Sequence, residues 1–459
     1  MSEESKRNGS EYLPEGWRFG TDGIRGEVTS KMRPIFMTTV AMAAGRAFKE
    51  DGIKEILIGK DTRISGYMIE SALQAGFISV GLNVVLLGPV PTPAVSFLTK
   101  GREAACGVVI SASHNTYLDN GLKFFNSQGE KISSKLETKI ENYILEDYKV
   151  SEVKNFGKAS RLTKAHSLYS EFCKSTVPDL NLSGINIVVD CANGANYKIA
   201  PTVFNELGAN VIKIGCSPNG RNINKDCGST NTEYLSESVL KHGADLGIAF
   251  DGDGDRLAMV DKDGSTLDGD ELIYLYFQKE ENIKKFQNGN GVVGTHMTNM
   301  SLELFFKKNN IDFFRADIGD KYVHQELENR GWTLGGESSG HLMFLDDVSS
   351  GDALVAGLKI LDSIQQKGFN IKKLMDCYYK FPQELVNLKV KDPNLCLLSQ
   401  NFMDSVKKNE TKLNASGRIL IRPSGTEPVL RIMVEGEQRD LVDKVIKDMI
   451  NSVKELGLS

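Results

Sequence analysis

The chain has 459 residues, 40% apolar and 25% charged, with a formal net charge of -5. At roughly 150 residues per domain it should fold as about three domains, or four small ones. The composition excludes a disordered or fibrous chain, the net acidity argues against a nucleic-acid binder, and no window approaches the roughly 18 uncharged apolar residues of a membrane span. The polar stretch MSEESKRNGSEYLPEGWR lacks the apolar core of a signal peptide and reads as a frayed extension. The seven cysteines are widely spaced and include no C-x-x-C pair. That argues against zinc and redox motifs and for a reduced, cytoplasmic protein.

In chain order, Pro34 opens an apolar helix through Phe48, and Glu55–Ile58 is a short buried strand that ends at Gly59–Arg63. Ile69, Leu73, Phe77 and Val80 mark one face of the next helix. Strands follow at Val84–Leu87 and Gly107–Ile110, the latter running into Ser111-Ala-Ser-His-Asn115. The theme returns with strands at Ile185–Asp190, Asn210–Gly215 and Asp245–Phe250, and again at Gly291–Thr295, Asp312–Arg315 and Thr333–Gly336. Strands alternating with helical patterns predict βαβ units and a largely parallel sheet. Such sheets bind ligands beyond the carboxyl ends of their strands, where this chain places polar and glycine-rich residues. From about residue 380 the pattern changes. Leu385–Lys391, Arg418–Ile421 and Leu430–Val434 alternate like antiparallel strands, before a helix with Leu441, Val445 and Met449 on one face. Four domains are therefore expected, at residues 1–165, 166–267, 268–379 and 380–459.

The segment Asp251-Gly-Asp-Gly-Asp-Arg256 puts three carboxylates at alternate positions just after a buried strand. Like charges that close repel each other unless a cation sits among them. Oxygen ligands without a nearby thiol favour magnesium or calcium over zinc. An EF-hand is excluded, because its sixth and twelfth loop positions would be Arg256 and Lys262. The plain alternative is a solvated acidic turn. Ser113, taken alone, is a turn former, and no G-x-S-x-G elbow supports a hydrolase. Facing a metal site, its oxygen could instead carry a phosphoryl group, with Lys123 neutralising charge or moving a proton. Gly335-Gly-Glu-Ser-Ser-Gly-His341 sets a carboxylate, two hydroxyls and an imidazole between glycines, suited to sugar hydroxyls or to a helix N-terminal turn. Arg422-Pro-Ser-Gly-Thr-Glu-Pro428 is a turn between strands whose guanidinium, hydroxyls and backbone N–H groups suit a phosphate, or a plain hairpin turn. Phe19–Gly26 is another glycine-rich loop, with a cation at Arg25. There is no Walker motif, and Gly289-Asn-Gly-Val-Val-Gly294 precedes a strand where a dinucleotide fingerprint should follow one.

Together these segments resemble the α-D-phosphohexomutase superfamily. FGTDGIRG, ISASHN with DNGLKFF, DGDGDR, GGESSGH and RPSGTEP occur in the family's order, and the match covers nearly the whole chain after Trp17. FGTDGIRG itself, Asn222–Ser229, LGIAFDGDGDR, FLDDVSSGD and RIMVEG resemble the phosphoglucosamine mutase branch. Three positions depart. Thr116 replaces a usual proline, Ser338 a usual Gln or Met, and Lys321 a common Arg. The Ser338 departure bears on sugar selectivity rather than on the chemistry.

The resemblance implies three α/β sandwich domains with mixed sheets and a smaller C-terminal α+β domain around a central cleft. Ser113 would be the phosphoserine and, with Asp251, Asp253 and Asp255, would hold one Mg²⁺ per subunit. Arg25, Lys123 and His341 would be the acid/base candidates. His114, Arg256, Glu337, Ser339, Arg422, Ser424, Gly425, Thr426 and Arg431 would bind substrate. The implied reaction converts glucosamine 6-phosphate to glucosamine 1-phosphate through a 1,6-bisphosphate, with glucosamine or glucose 1,6-bisphosphate as activator. A glucose or mannose phosphate mutase and a silent sugar-phosphate binder are the alternatives. The expected partners are a small sugar phosphate and at most a second copy of the chain, with no nucleic acid and no membrane.

Overall fold

The computed structural model describes residues 13–20, 22–146, 155–423 and 428–456. The N-terminal extension up to residue 12, and the expected phosphate-loop residues Ser424, Gly425 and Thr426, lie outside the described residues. Among the described residues no helix is long and apolar enough to cross a membrane.

The first sheet contains β1 (Ile24–Glu27), β2 (Glu55–Lys60), β3 (Asn83–Pro89), β4 (Ala105–Ile110), β5 (Asp119–Phe125) and β6 (Ala159–Arg161), in the order β1-β5-β4-β2-β3-β6. Its strands alternate faces as a pleated strand must. Ile56 and Ile58 of β2 join a core with Val40 and Phe77 from the helices Pro34–Glu50 and Ser65–Ser79. Leu57, between them, faces Val95 and Leu98 of the helix Thr92–Lys100 on the other side. Helices thus cover both faces of the sheet, giving a sandwich.

The second sheet contains β7 (Asn186–Asp190), β8 (Asn210–Ile214), β9 (Leu246–Phe250), β10 (Leu257–Asp261) and β11 (Thr266–Leu267), in the order β11-β10-β9-β7-β8. The third contains β12 (Gly291–Thr295), β13 (Asp312–Ala316), β14 (Leu334–Gly336) and β15 (Leu342–Phe344), in the order β13-β12-β14-β15. One apolar core runs through all three, from Val109 through Val189 and Ile248 to Val292 and Leu334.

The sheets are mixed rather than largely parallel. β5, β10 and β15 run antiparallel to β4, β9 and β14, which themselves pair in parallel with β2, β7 and β12. The alternation of strands and helices in the sequence could not reveal this, because a short loop carries the chain directly from each of these parallel strands into its antiparallel neighbour. Those three loops are the Ser113, DGDGDR and Glu337–His341 segments. The last of them is a strand-to-strand turn, not the start of a helix.

The fourth sheet is antiparallel, with β16 (Gln383–Lys389), β17 (Gly417–Pro423) and β18 (Val429–Gly436) in the order β16-β18-β17. Ile432 and Val434 pack under Leu413 and under Val445 and Met449 of the last helix, Arg439–Glu455.

Candidate active site

Asp251 organises its own loop. One oxygen, Oδ1, accepts from the backbone N–H groups of Gly254, Asp255 and Arg256 at 3.0–3.1 Å. The other, Oδ2, accepts the Ser113 hydroxyl at 2.6 Å. Ligand oxygens of Asp251, Asp253 and Asp255 lie within 4.8 Å of one another, and all three residues are buried. Thr92 Oγ1 donates to Asp253 Oδ2 at 2.6 Å. Asp253 Oδ1 and Asp255 Oδ1 are buried with no hydrogen-bond partner. Three hard oxygen donors around one point, two of them with orphaned atoms, fit a divalent cation such as Mg²⁺. Burial first, then Asp255 and Asp253, push the Asp251 carboxyl well above its usual range.

The Ser113 loop is held in a strained shape. Ser113 is 1% exposed and has φ +52°, a left-handed conformation that side chains other than glycine adopt at a cost. Arg63, also 1% exposed, pins it. Its Nη2 donates to the carbonyls of Ser113 and Asn115 at 2.9 and 2.8 Å, its Nη1 reaches the Thr116 and Asp119 carbonyls, and its Nε donates to Asp61 at 2.7 Å. Asn224 donates to the same Ser113 and Asn115 carbonyls. With Thr116 in place of proline, the loop is thus fixed from outside by hydrogen bonds. Gly252 lets the two loops touch, since a Cβ there would stand 2.7 Å from the Ser113 carbonyl oxygen.

Lys123, inside β5 and 2% exposed, places its Nζ 2.9 Å from Asp253 and 2.8 Å from Asp255, with Asp22 at 3.2 Å. Burial works against its charge, but the three carboxylates hold the ammonium well above the usual lysine range. The same ammonium draws the Asp255 carboxyl well down, against the effect of burial. His341 is 5% exposed and stands 3.8 Å from Asp255 on one side and 3.8 Å from Asp320 on the other. Burial opposes its charge too, yet Asp255, Asp320 and Glu337 raise its pKa above the ordinary histidine value. His114 differs. Its Nδ1 is 3.3 Å from Ser113 Oγ, and burial with Arg256 and Arg25 nearby lowers its pKa to about 4, so it is neutral at neutral pH. Arg25 pairs with Asp22, and the buried Nε atoms of Arg25 and Arg256 have no partner.

Glu337 Oε1 accepts from the Gly319 N–H at 3.0 Å, while Ser339 stands exposed at the tip of the same loop. Arg422 and Arg431 face each other across β17 and β18. Burial and the Arg431 charge lower the Arg422 pKa, and Arg431 Nε is buried without a partner. Two guanidinium-bearing residues at paired strand positions suit a doubly charged anion. Among the described residues, no hydrogen bond or ion pair joins them or Ser339 to the Ser113 cluster.

Ser113, His114, Arg25, Lys123, the three aspartates, Arg256, Glu337 and His341 therefore converge. Sequence reasoning missed Arg63, Asn224 and Asp22. Arg63 ends the polar run after β2, the kind of position where an α/β sheet keeps functional groups, and that was its one available signal. A cavity of about 400 Å³, lined by Lys123, Asp255 and His341 among others, opens between the first and third sheets.

Family models described as phosphoglucomutase/phosphomannomutase match the chain in four parts. The alpha/beta/alpha domains I, II and III match residues 17–151, 167–264 and 268–381, and the C-terminal domain matches 385–452. Among curated relatives, the phosphoglucosamine mutase of Pseudoalteromonas translucida is 48% identical over 429 residues, covering 92% of this chain and 94% of its own. That of Coxiella burnetii is 48% identical over 446 residues, covering 96% and 99%. The fold resembles a phosphoglucomutase/phosphomannomutase family protein from Burkholderia thailandensis, with TM-score 0.81 at 22% identity over 96% of this chain and 98% of that one.

Proposed function

The chain belongs to the phosphoglucomutase/phosphomannomutase family, and on that footing we propose that it is a phosphoglucosamine mutase, an isomerase that interconverts glucosamine 6-phosphate and glucosamine 1-phosphate. The branch rests on relatives of that name at 48% identity over nearly the whole chain. The observation that carries the chemistry is the Ser113 hydroxyl at 2.6 Å from Asp251, within a buried carboxylate triad.

In this reading Ser113 carries a phosphoryl group and gives it to the 1-hydroxyl of the sugar. The resulting 1,6-bisphosphate turns in the site, and Ser113 takes back the 6-phosphoryl. Asp251, Asp253 and Asp255, with the Ser113 phosphate, would hold Mg²⁺, which when bound neutralises the equatorial oxygens of the transferring group. Lys123 and Arg25 bring fixed positive charge to the same oxygens, preorganised by Asp22 and the triad. Lys123 and His341 are the groups placed to hold or move the hydroxyl proton. Glu337 would meet the sugar hydroxyls, with Ser339 at the loop tip, and His114 and Arg256 would border the transferring phosphoryl. Arg422 and Arg431, with Ser424, Gly425 and Thr426, would grip the phosphate that is not reacting. Bisphosphate restores any Ser113 that has lost its phosphoryl group. Seven free cysteines, five of them buried, support a reducing compartment and so a cytoplasmic enzyme. Its product would supply an activated amino sugar for UDP-N-acetylglucosamine and peptidoglycan synthesis.

The test compares kcat/KM for glucosamine, glucose and mannose 6-phosphates. A clear preference for glucosamine 6-phosphate is expected. Equal or better turnover of mannose 6-phosphate would overturn the branch but leave the family.

A further inference from the structure

Six titratable side chains of this site form a closed ring in which acidic and basic groups alternate. Asp22 contacts Lys123 at 3.2 Å, and Lys123 contacts Asp255 at 2.8 Å. Asp255 and Asp320 flank His341 at 3.8 Å each. Lys131 closes the circuit by hydrogen-bonding both Asp320 and Asp22. Asp22, Lys123 and Lys131 come from the first sheet and its loops, Asp255 from the second, and Asp320 and His341 from the third. Every acid/base candidate touches the ring: Lys123 and His341 are members, and Arg25 pairs with Asp22.

Lys131 and Asp320 have no place in the chemistry described above, yet they supply the ring's bridge between the first and third sheets. That bridge lines the cavity of about 400 Å³ between the two parts. Close to it, polar links across the gap among the described residues include this pair, Lys321 to Glu137 at 3.1 Å and Lys100 to Ser349 at 3.2 Å. Burial opposes a charge on Lys131, but Asp22 and Asp320 hold its pKa above the usual lysine value. Asp320 is tied at its other oxygen by the Lys321 backbone N–H at 2.7 Å.

We propose that Lys131 and Asp320 are positioning residues for phosphoryl transfer. Lys131 fixes Asp22, and through it Arg25 and Lys123, while Asp320 fixes His341, so that groups from two separate sheets share one geometry. The inference rests on the mutase reading for its kinetic consequence.

The experiment uses full-length Lys131→Met, Asp320→Asn, their double variant and Lys131→Arg, assayed with Mg²⁺ and glucose 1,6-bisphosphate. Displacement of a catalytic group by about an ångström costs on the order of 10- to 100-fold, so each single variant should lose that much kcat while KM for glucosamine 6-phosphate stays within about twofold. Lys131→Arg should recover most of the loss, and the double variant should be no slower than the worse single one. Full kcat in Lys131→Met, or losses that multiply in the double variant, would overturn the proposal. Melting temperatures read the pair without turnover. The two single drops should fail to add, and additive drops count against the ring even if the wild type proves not to be a mutase. A wild type without mutase turnover counts against the proposed function alone.

Discussion

The Ser113 hydroxyl donates to Asp251 Oδ2 across 2.6 Å, joining a loop of the first sheet to a loop of the second. The candidate nucleophile and a metal-ligand candidate are thus already in contact, and a phosphoryl group on that oxygen would have its own oxygens beside the triad. The strained backbone of Ser113 is the cost of this placement, offset by the buried Arg63.

Ser113→Ala should lower turnover by roughly a thousandfold or more, because the group that forms the covalent intermediate is gone. Purified wild-type protein should carry a phosphate at Ser113 by mass spectrometry. Ala keeps the strain at φ +52°, whereas Gly relieves it at about 1 kcal/mol. Ser113→Gly should therefore be equally inactive yet melt no lower than Ser113→Ala. A Gly variant several degrees less stable would show that the loop is not strained.

Asp251→Asn should weaken Mg²⁺ binding and activity together. In a chelator its melting temperature should exceed that of the wild type at neutral pH, because a buried carboxylate beside two others is removed while the amide oxygen still accepts the three backbone N–H groups. Asp253→Asn should show no such gain, since Asp253 already pairs with Lys123. Equal metal affinity in both variants and the wild type, read by calorimetry, would remove these aspartates as ligands.

Asp352 gives a pH test outside the site. Its side chain caps the helix Ala353–Gln365 through the Val355 N–H and accepts the Tyr169 hydroxyl at 2.8 Å, and burial pushes its pKa up to about 6. A raised folded-state pKa means stability that is present below the unfolded value near 4 and is lost as pH rises to about 6. Asp352→Asn keeps the cap without that loss. It should gain on the wild type between pH 4 and 6, by about 2 to 3 kcal/mol at most, and the gap should then stay constant. Parallel stability curves across that range would contradict the assignment.

Arg422→Ala should leak the bisphosphate. Loss of a charge-assisted hydrogen bond weakens the hold on the intermediate on the order of 10- to 100-fold. Free glucosamine 1,6-bisphosphate should accumulate, Ser113 should be found unphosphorylated, and turnover should need added bisphosphate. A raised KM with none of these would confine Arg422 to initial binding.

Much of the fold was legible because its parallel strands are short apolar runs ending on polar residues, as at Gly107–Ile110 and Leu246–Phe250. β5 was not, because Lys123 interrupts its apolar pattern, and that lysine is buried for a charge partner rather than for packing. The site's motifs were readable as local strings, and Ser113 and the three aspartates stand together as those strings suggested. What no local string could carry is the pairing of residues far apart, such as Lys131 with Asp320 or Arg63 with the Ser113 carbonyl. Such contacts depend on how separate sheets meet, and a buried charge betrays its partner only once the fold is known.

The most direct test of the account is a chase of protein carrying radiolabelled phosphate on Ser113. With Mg²⁺ and excess unlabelled glucosamine 6-phosphate, one turnover should clear the label from the protein and deliver it to the 1-position of glucosamine 1-phosphate, by way of the 1,6-bisphosphate. Label that stays on Ser113 while product forms would mean that phosphate moves without this serine, and the account would fall.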